Sequence, residues 1–314
     1  MARTRLTLIA PVFNEEEVIG RFHARARGVL DALPDVDGEI LFVVDRCTDD
    51  TVGALRQLIA GDPRAKALVL SSRFGHQMSL LAGIERAQDA DVVVMMDSDL
   101  QHPPELIPEL LDRWRQGYDV VYTVRRDTED ASALRKAAGN LFYRMLSRLS
   151  QVPINANAAD FRLISGRVAR VLATQFHERN MFLRGLFSWM GFRQTGVEYT
   201  AAARAAGRSK YSFARMVQLA THGVLAFSTK PLQVGIFVGV GFAALAFAYT
   251  VALVVNWFVD RSLPSGWTSL IVLLLLFSGI QLIVLGVMGA YIGGIYEEVK
   301  GRPHYLVDEE IGNR

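Results

Sequence analysis

The sequence predicts an α/β fold: a mainly parallel sheet with flanking helices, followed by a C-terminal two-helix transmembrane hairpin. Three observations predict it. Short apolar runs alternate with helical stretches from residue 5 to 123, the pattern of strands joined by right-handed crossovers. Polar residues follow successive runs, at Asp45, Arg73, Asp97 and Asp99. Two stretches without charge, Pro231 to Val259 and Ser262 to Tyr296, each exceed the roughly 20 apolar residues that a membrane helix needs.

The elements follow in order. Leu6 to Ala10 is a strand, and Pro11-Val12-Phe13-Asn14-Glu15-Glu16-Glu17 turns into a helix with an acidic first turn, as the helix dipole prefers. Glu39 to Val44 is a second strand, followed by Asp45-Arg46-Cys47-Thr48-Asp49-Asp50-Thr51 and a helix. Ala67 to Leu70 is a third, ending at Ser71-Ser72-Arg73-Phe74-Gly75-His76-Gln77. Val92 to Met96 is a fourth and Tyr118 to Thr123 a fifth. A parallel sheet brings the ends of such strands to one edge, where open α/β sheets bind ligands.

The fourth strand stops at Asp97-Ser98-Asp99-Leu100-Gln101-His102-Pro103-Pro104-Glu105. Two carboxylates spaced i, i+2 repel unless a cation lies between them. A hard divalent ion, Mg²⁺ or Mn²⁺, suits Asp97 and Asp99, with Gln101 adding a carbonyl oxygen. The bland alternative is that Asp99 only caps the helix that Pro103 and Pro104 open.

The chain of 314 residues carries a net charge of +2, which gives no footing for wholesale nucleic-acid binding. The single cysteine, Cys47, excludes an internal disulfide and fits a reducing compartment. Met1 to Arg5 runs straight into a strand, with no signal-peptide core. Leu134 to Leu149 reads as a basic amphipathic helix of the kind that lies on anionic membrane surfaces. Arg204, Arg208, Lys210, Arg215, Lys230, Lys300 and Arg302 flank the apolar stretches, whereas the loop between them holds only Arg261 as a base. The positive-inside rule then puts both termini and the α/β domain in the cytoplasm, on an inner or plasma membrane. The division expected is 1–210 for the catalytic body and 211–230 for a juxtamembrane helix. Two transmembrane helices follow within 231–296, at about 231–259 and 267–295, and 297–314 is a cytoplasmic tail. Gly235-x-x-x-Gly239 and Gly289-x-x-x-Gly293 read as close helix packing, within a chain or between subunits of a homo-oligomer.

No Walker loop, Gly-x-Gly-x-x-Gly, zinc-protease or Gly-x-Ser-x-Gly motif occurs. A nucleotide site here must hold its diphosphate with a metal instead of a glycine-rich nest. Three classes stay open on the residues: a transferase, a nucleotidyltransferase with the same metal geometry, and a non-catalytic membrane component that senses a nucleotide or aids transport. The uncharged membrane stretches speak against a polar transport path.

Five stretches occur in the order seen in family-2 glycosyltransferases: Pro11-Val12-Phe13-Asn14-Glu15, the Asp45 turn, Asp97 to Glu105, Asp160-Phe161-Arg162-Leu163, and Arg204-x-x-Gly207-x-Ser209-Lys210-Tyr211. The chain most resembles membrane-attached bactoprenol (undecaprenyl-phosphate) glucosyltransferases and, more distantly, dolichol-phosphate mannose synthases. Gly286 to Leu306 resembles their C-terminal end. The resemblance implies a GT-A, Rossmann-type fold and inverting transfer from a nucleotide-sugar to a polyprenyl phosphate among membrane lipids. UDP-glucose is the favoured donor and GDP-mannose the alternative. Carried over by position, Pro11, Phe13, Glu15, Val43, Asp45 and Asp97 hold the nucleotide-sugar. Asp97, Asp99 and Gln101 hold Mg²⁺ or Mn²⁺. Arg125, Arg135, Arg204, Ser209 and Lys210 grip phosphates. Asp160 is the candidate base, with Asp99 the second catalytic carboxylate. In one departure, Val44-Asp45-Arg46-Cys47 stands where the family usually reads Asp-Asp-Gly-Ser. A carboxylate is lost and an arginine gained beside the presumed nucleoside pocket.

Overall fold

A computed structural model describes residues 3–126, 158–176, 178, 181–200, 230–260 and 266–312. They form two units: a sheet with its flanking helices, which also includes the C-terminal strand, and a pair of long apolar helices.

The sheet unit begins with β1 (Thr4–Val12), α1 (Ile19–Asp31), β2 (Val36–Val44), α2 (Thr51–Gly61), β3 (Ala65–Leu70), α3 (His76–Arg86) and β4 (Val92–Met95). A 3₁₀ turn at Pro104–Leu106 leads into α4 (Ile107–Arg115) and then β5 (Val120–Arg126). Next come β6 (Ala158–Ser165), α5 (Gly166–Gln175), α6 (Leu183–Trp189) and β7 (Gln194–Thr200). The eight-stranded order is β7-β5-β6-β4-β1-β2-β3-β8, with β8 the strand Val307–Ile311. The central strands β4, β1, β2 and β3 are parallel. Toward their carboxyl ends they are near-continuous apolar runs, as buried parallel strands are. Leu6, Leu8, Ala10 and Val12 of β1 enter the main core with Phe22 of α1 and Phe42 of β2. On the other face Ile9 meets Gly83 of α3, where a Cβ would lie 2.4 Å from Ile9 Cγ2. That close approach fixes the helix whose first residue is His76.

Two features differ from the sequence-based expectation. A strand that the sequence reading does not pick out, β6, lies between β4 and β5 and is antiparallel to both. Its alternation puts Phe161 and Leu163 in the core. Asp160 and Arg162 interrupt the apolar pattern, so the stretch reads as a polar loop. The second difference is the segment expected to be a tail. Val307–Ile311 pairs antiparallel with β3, from Ala67↔Ile311 to Leu70↔Val307. Arg86 Nη2 donates to Glu310 at 2.7 Å, Arg56 pairs with Glu309, and Tyr305 donates to Glu85. The Ser71 N–H donates to the Leu306 carbonyl at 2.9 Å. β8 thus moves the sheet edge from the apolar β3 to a short, acidic strand, a poorer template for aggregation.

The second unit is α7 (Lys230–Asp260) and α8 (Trp267–Val299). Leu232–Ala252 and Leu276–Val299 are long and apolar enough to cross a membrane, and neither is buried. The helices pack as a hairpin through Phe242 and Phe277, an edge-on pair at 5.1 Å. A Cβ on Gly235 would touch Val284 at 3.5 Å, whereas Gly239, Gly289 and Gly293 meet nothing within 4 Å. The predicted helices at 134–149 and 213–227 lie outside the described residues.

Deleting residues 302–314 removes β8 and should cost about 1–3 kcal/mol, a fall in apparent Tm of roughly 2–10 °C. Glu309→Gln with Glu310→Gln, which breaks only exposed ion pairs, should cost less than about 1 kcal/mol. Thermal melts of the full chain and the two variants check this. An unchanged melt on deletion would contradict a stabilising role for β8.

Candidate active site

The carboxyl ends of β1, β2, β3 and β4, together with β6 and α6, enclose a cavity of about 500 Å³. Pro11, Phe13, Glu15, Asp45, Asp97, Asp99 and Asp160, all singled out from the sequence, line it. Arg73, His76, Ser98 and Arg184 line it too.

The nucleoside side is built by pinning one loop to another. Asp45 accepts from the Phe74 N–H at 2.8 Å and the Gly75 N–H at 2.9 Å, and is 4% exposed. Its carboxylate thus holds the loop between β3 and α3, a structural task beside the nucleoside role carried over to it. Arg73 from that loop lies over the Phe13 ring, 4.1 Å from its centroid. Asn14 has φ of 57°, and Thr48 steadies it in that left-handed conformation by exchanging two bonds with its side chain, at 2.8 and 2.9 Å. Arg46, the unexpected arginine, donates to the Ser71 carbonyl at 3.0 Å. Val43 is fully buried in β2 opposite Pro11, so its side chain does not reach the cavity. That position was carried over by resemblance, and strand alternation turns its side chain into the sheet's packing.

On the metal side, the capping alternative fails: no side chain caps the 3₁₀ turn that follows Pro103. Asp99 instead accepts from the Gln101 backbone N–H at 3.0 Å. The Gln101 side chain also meets Asp99 through its amide nitrogen. In this arrangement Gln101 steadies the Asp99 carboxylate. Leu100, between them, has φ of 62°, an uncommon conformation for a branched residue. Ser98 is buried and donates to the Pro11 carbonyl at 3.0 Å, tying this turn to β1.

The electrostatics show a site short of positive charge. Burial, then Asp99, Asp49 and Asp97, push the Glu15 carboxyl up to about 7. Burial also raises Asp97, with Asp160 and Asp99 adding to it and His76 and His102 opposing. His102 Nδ1 is buried, finds no hydrogen-bond partner among the described residues, and lies 3.7 Å from Asp97 Oδ2. Crowded hard oxygen donors of this kind suit Mg²⁺ or Mn²⁺, which take carboxylates together with phosphate oxygens and water. Among the described residues no set of three side-chain ligands is assembled, so substrate oxygens would complete the shell around Asp97 and Asp99.

Across the cavity the charge is reversed. Arg184 forks onto Asp160, Nε to Oδ1 at 2.6 Å and Nη2 to Oδ2 at 2.7 Å. His76 Nε2 stands 3.6 Å from both Asp160 Oδ2 and Asp97 Oδ1. Burial would raise the Asp160 carboxyl, but Arg184, then His76 and Arg162, hold it well below the usual carboxylate range. His76 is pulled down by burial and lifted more by Asp160 and Asp97, so it protonates more readily than an ordinary histidine. Neither His76 nor Arg184 was picked out from the sequence. For Arg184 a signal existed: it is the single charge in the apolar run Met181 to Met190. A charge so placed needs a partner. Arg125 lies in β5, but its side chain, like Arg135, Arg204, Ser209 and Lys210, lies outside the described residues.

The raised Glu15 carboxyl has a measurable consequence. Its folded chain holds a proton that the unfolded chain has released, so the metal-free protein loses stability as pH rises from 4.5 to about 7. Glu15→Gln should flatten that fall and raise the apparent Tm at pH values above about 7. Asp97→Asn should act in the same direction. Melts in chelator across this range check both variants, and an unchanged slope for Glu15→Gln would contradict the crowding.

Comparisons with known proteins identify the chain's family. Residues 7–172 match the family described as Glycosyl transferase family 2. An uncharacterized glycosyltransferase, YkcC of Bacillus subtilis, is 41% identical, with 98% of this chain and 94% of that protein covered. The bactoprenol glucosyl transferase of Shigella phage SfV is 36% identical over 98% of this chain and 99% of its own. Among solved structures, a glucosyl-3-phosphoglycerate synthase from Mycobacterium tuberculosis with Mn²⁺, uridine-diphosphate and phosphoglyceric acid superposes with a TM-score of 0.48. It shares 20% identity over 71% of this chain and 78% of that one, a likeness of fold alone. With a family match over more than half its length and relatives alike from end to end, the chain belongs to glycosyl transferase family 2 and is a glycosyltransferase.

Proposed function

We propose that the chain moves glucose from UDP-glucose to the phosphate of a membrane polyprenyl phosphate, releasing UDP. One observation carries this reading: a single cavity sets carboxylates for a divalent ion against a guanidinium, in a chain that also holds two helices long and apolar enough to cross a membrane. The bactoprenol glucosyl transferases that it matches along their length support the acceptor class. The UDP-sugar is supported by the same names only through the glucosyl group.

The chemistry asks little of a base. A phosphate monoester has a second pKa near 6, so its oxygen is already nucleophilic at neutral pH. That oxygen attacks the anomeric carbon as the bond from this carbon to the UDP oxygen breaks, and the configuration inverts. The residues of this chain position the partners. Phe13 and Arg73 form a flat, cationic wall for the nucleoside, a surface on which rings stack. Asp97 and Asp99 would hold Mg²⁺ or Mn²⁺, which when bound stabilises charge on the departing diphosphate. Arg184 and His76 place positive charge on the other side, where two phosphates must come together. Arg125, Arg135, Arg204 and Lys210 are proposed to complete the acceptor's phosphate site. The hairpin is proposed to anchor the enzyme with its catalytic unit in the cytoplasm, so that the lipid tail stays in the bilayer and only its headgroup is reached.

The test is incubation of membranes holding the full chain with a panel of nucleotide-sugars and polyprenyl phosphate. Mass analysis should find a hexosyl-phosphate lipid with UDP-glucose. Pyrophosphate in place of UDP among the products would instead favour a nucleotidyltransferase. Asp99→Ala, or chelator, should reduce turnover at least about 100-fold, near 2.7 kcal/mol of barrier. Full turnover by Asp99→Ala in chelator would rule out the metal role.

A further inference from the structure

Asp160 occupies the position of the candidate base, but its surroundings suit another task. Both of its oxygens already accept from Arg184, at 2.6 and 2.7 Å. A second guanidinium, Arg162, approaches to 4.0 Å. Arg162 is 4% exposed, lies over the Phe187 ring at 4.5 Å and donates to the Ala159 carbonyl at 3.0 Å. Its side chain is therefore fixed by packing. Arg184 and Phe187 share α6, and the start of that helix is tied to α3 where the Leu183 N–H donates to Gln77 Oε1 at 3.2 Å. Three elements thus lock one carboxylate between two guanidiniums.

The charge of this group decides its use. Arginine stays protonated in proteins, so one carboxylate and two guanidiniums leave a net positive charge. Asp160 and Arg184 of this group line the cavity, whose opposite wall carries Asp97 and Asp99, and Arg162 is buried behind them. An anion seated here would gain from that charge, and a guanidinium binds phosphate oxygens in charge-assisted hydrogen bonds of defined geometry. A base, by contrast, would have to release Arg184 to take up a proton, and the phosphate nucleophile has no proton that must be removed.

We propose that Arg184 touches a phosphate of the reactants and that Asp160 is a positioning residue which aims it. This rests on the reading of the chain as a glycosyltransferase acting on a lipid phosphate. The phosphate is that of the acceptor or that of the donor's diphosphate, and kinetics with each substrate varied in turn tells them apart. A rise in KM for the lipid alone assigns the acceptor, and a rise for UDP-glucose alone assigns the donor.

The experiment uses the full chain in lipid nanodiscs, with Arg184→Ala, Arg184→Lys, Asp160→Asn and the double variant Asp160→Asn with Arg184→Ala. Arg184→Ala and Asp160→Asn should each lower turnover about 30-fold or more, and the double variant should lose no more than about threefold beyond the worse single one. Guanidinium ion added to the buffer should restore Arg184→Ala several-fold and the double variant much less, a readout that a merely structural role would not move. Should Arg184→Ala fail to melt like the parent, Arg184→Lys decides. A loss of about tenfold with normal folding supports the proposal, because a lysine keeps the charge but cannot pair with both Asp160 oxygens and reach a phosphate as well, and no loss overturns it. Turnover of Arg184→Ala within about threefold of the parent, or multiplying losses in the double variant, would overturn the proposal and return Asp160 to the role of base. A parent enzyme that releases UDP from UDP-glucose without glycosylating the lipid would end the acceptor reading. The Arg184 and Asp160 variants would then still be compared on UDP release.

Discussion

Crowded carboxylates are the constraint on which the rest of the site depends. Glu15, Asp97, Asp99 and Asp160 line one cavity, and like charges at such range cannot all ionise without compensation. Two solutions are used side by side. At Asp160 the compensation is built in, as a guanidinium fork held on both oxygens. Around Glu15 and Asp97 it is not, and both carboxyls are held protonated to higher pH than usual. In the first half of the cavity the charge is balanced within the chain, whereas in the second the carboxyls are left to share protons.

The fold supplies this arrangement through a small number of devices. Parallel strands deliver Asp45, Arg73, Asp97 and Asp99 to one edge. Antiparallel β6, inserted beside β4, brings Asp160 to the same place from a distant part of the sequence. Loops then fix one another: Asp45 holds the loop after β3 by two backbone N–H groups, and Ser98 holds the turn after β4 to β1. The strained Leu100 sits between Asp99 and Gln101, where backbone strain commonly marks a functional turn. Strand β8 extends the network, because its approach bonds the carbonyl of Leu306 to Ser71, the first residue of the loop that carries Arg73.

Much of this is legible in the sequence, for reasons that differ by residue. The four central strands are apolar runs closed by polar residues, so both their existence and their shared edge can be read. The apolar helices declare themselves by length alone. Strand β6 does not, because Asp160 and Arg162 break its apolar pattern, and their compensation comes from α6, far along the chain. Arg184 stays hidden for the same reason: an ion pair between residues 24 apart on different elements has no periodicity to betray it. Val43, a position transferred by resemblance, has its side chain buried in the sheet. Strand β8 escapes notice because it is short, acidic and exposed on an edge, where it needs no apolar alternation.

The central claim, that the donor half of the cavity holds protonated carboxyls which a cation and nucleotide must discharge, is open to direct measurement. Isothermal titration of Mg²⁺ and UDP into the full chain near pH 7, repeated in buffers of different ionisation enthalpy, counts the protons exchanged on binding. The Glu15 carboxyl, pushed up to about 7, predicts release of roughly half a proton or more, since a cation bound beside it favours its ionised form. Release should shrink toward zero in Glu15→Gln with Asp97→Asn wherever binding remains measurable. An observed enthalpy that does not depend on the buffer for the parent protein would contradict the account.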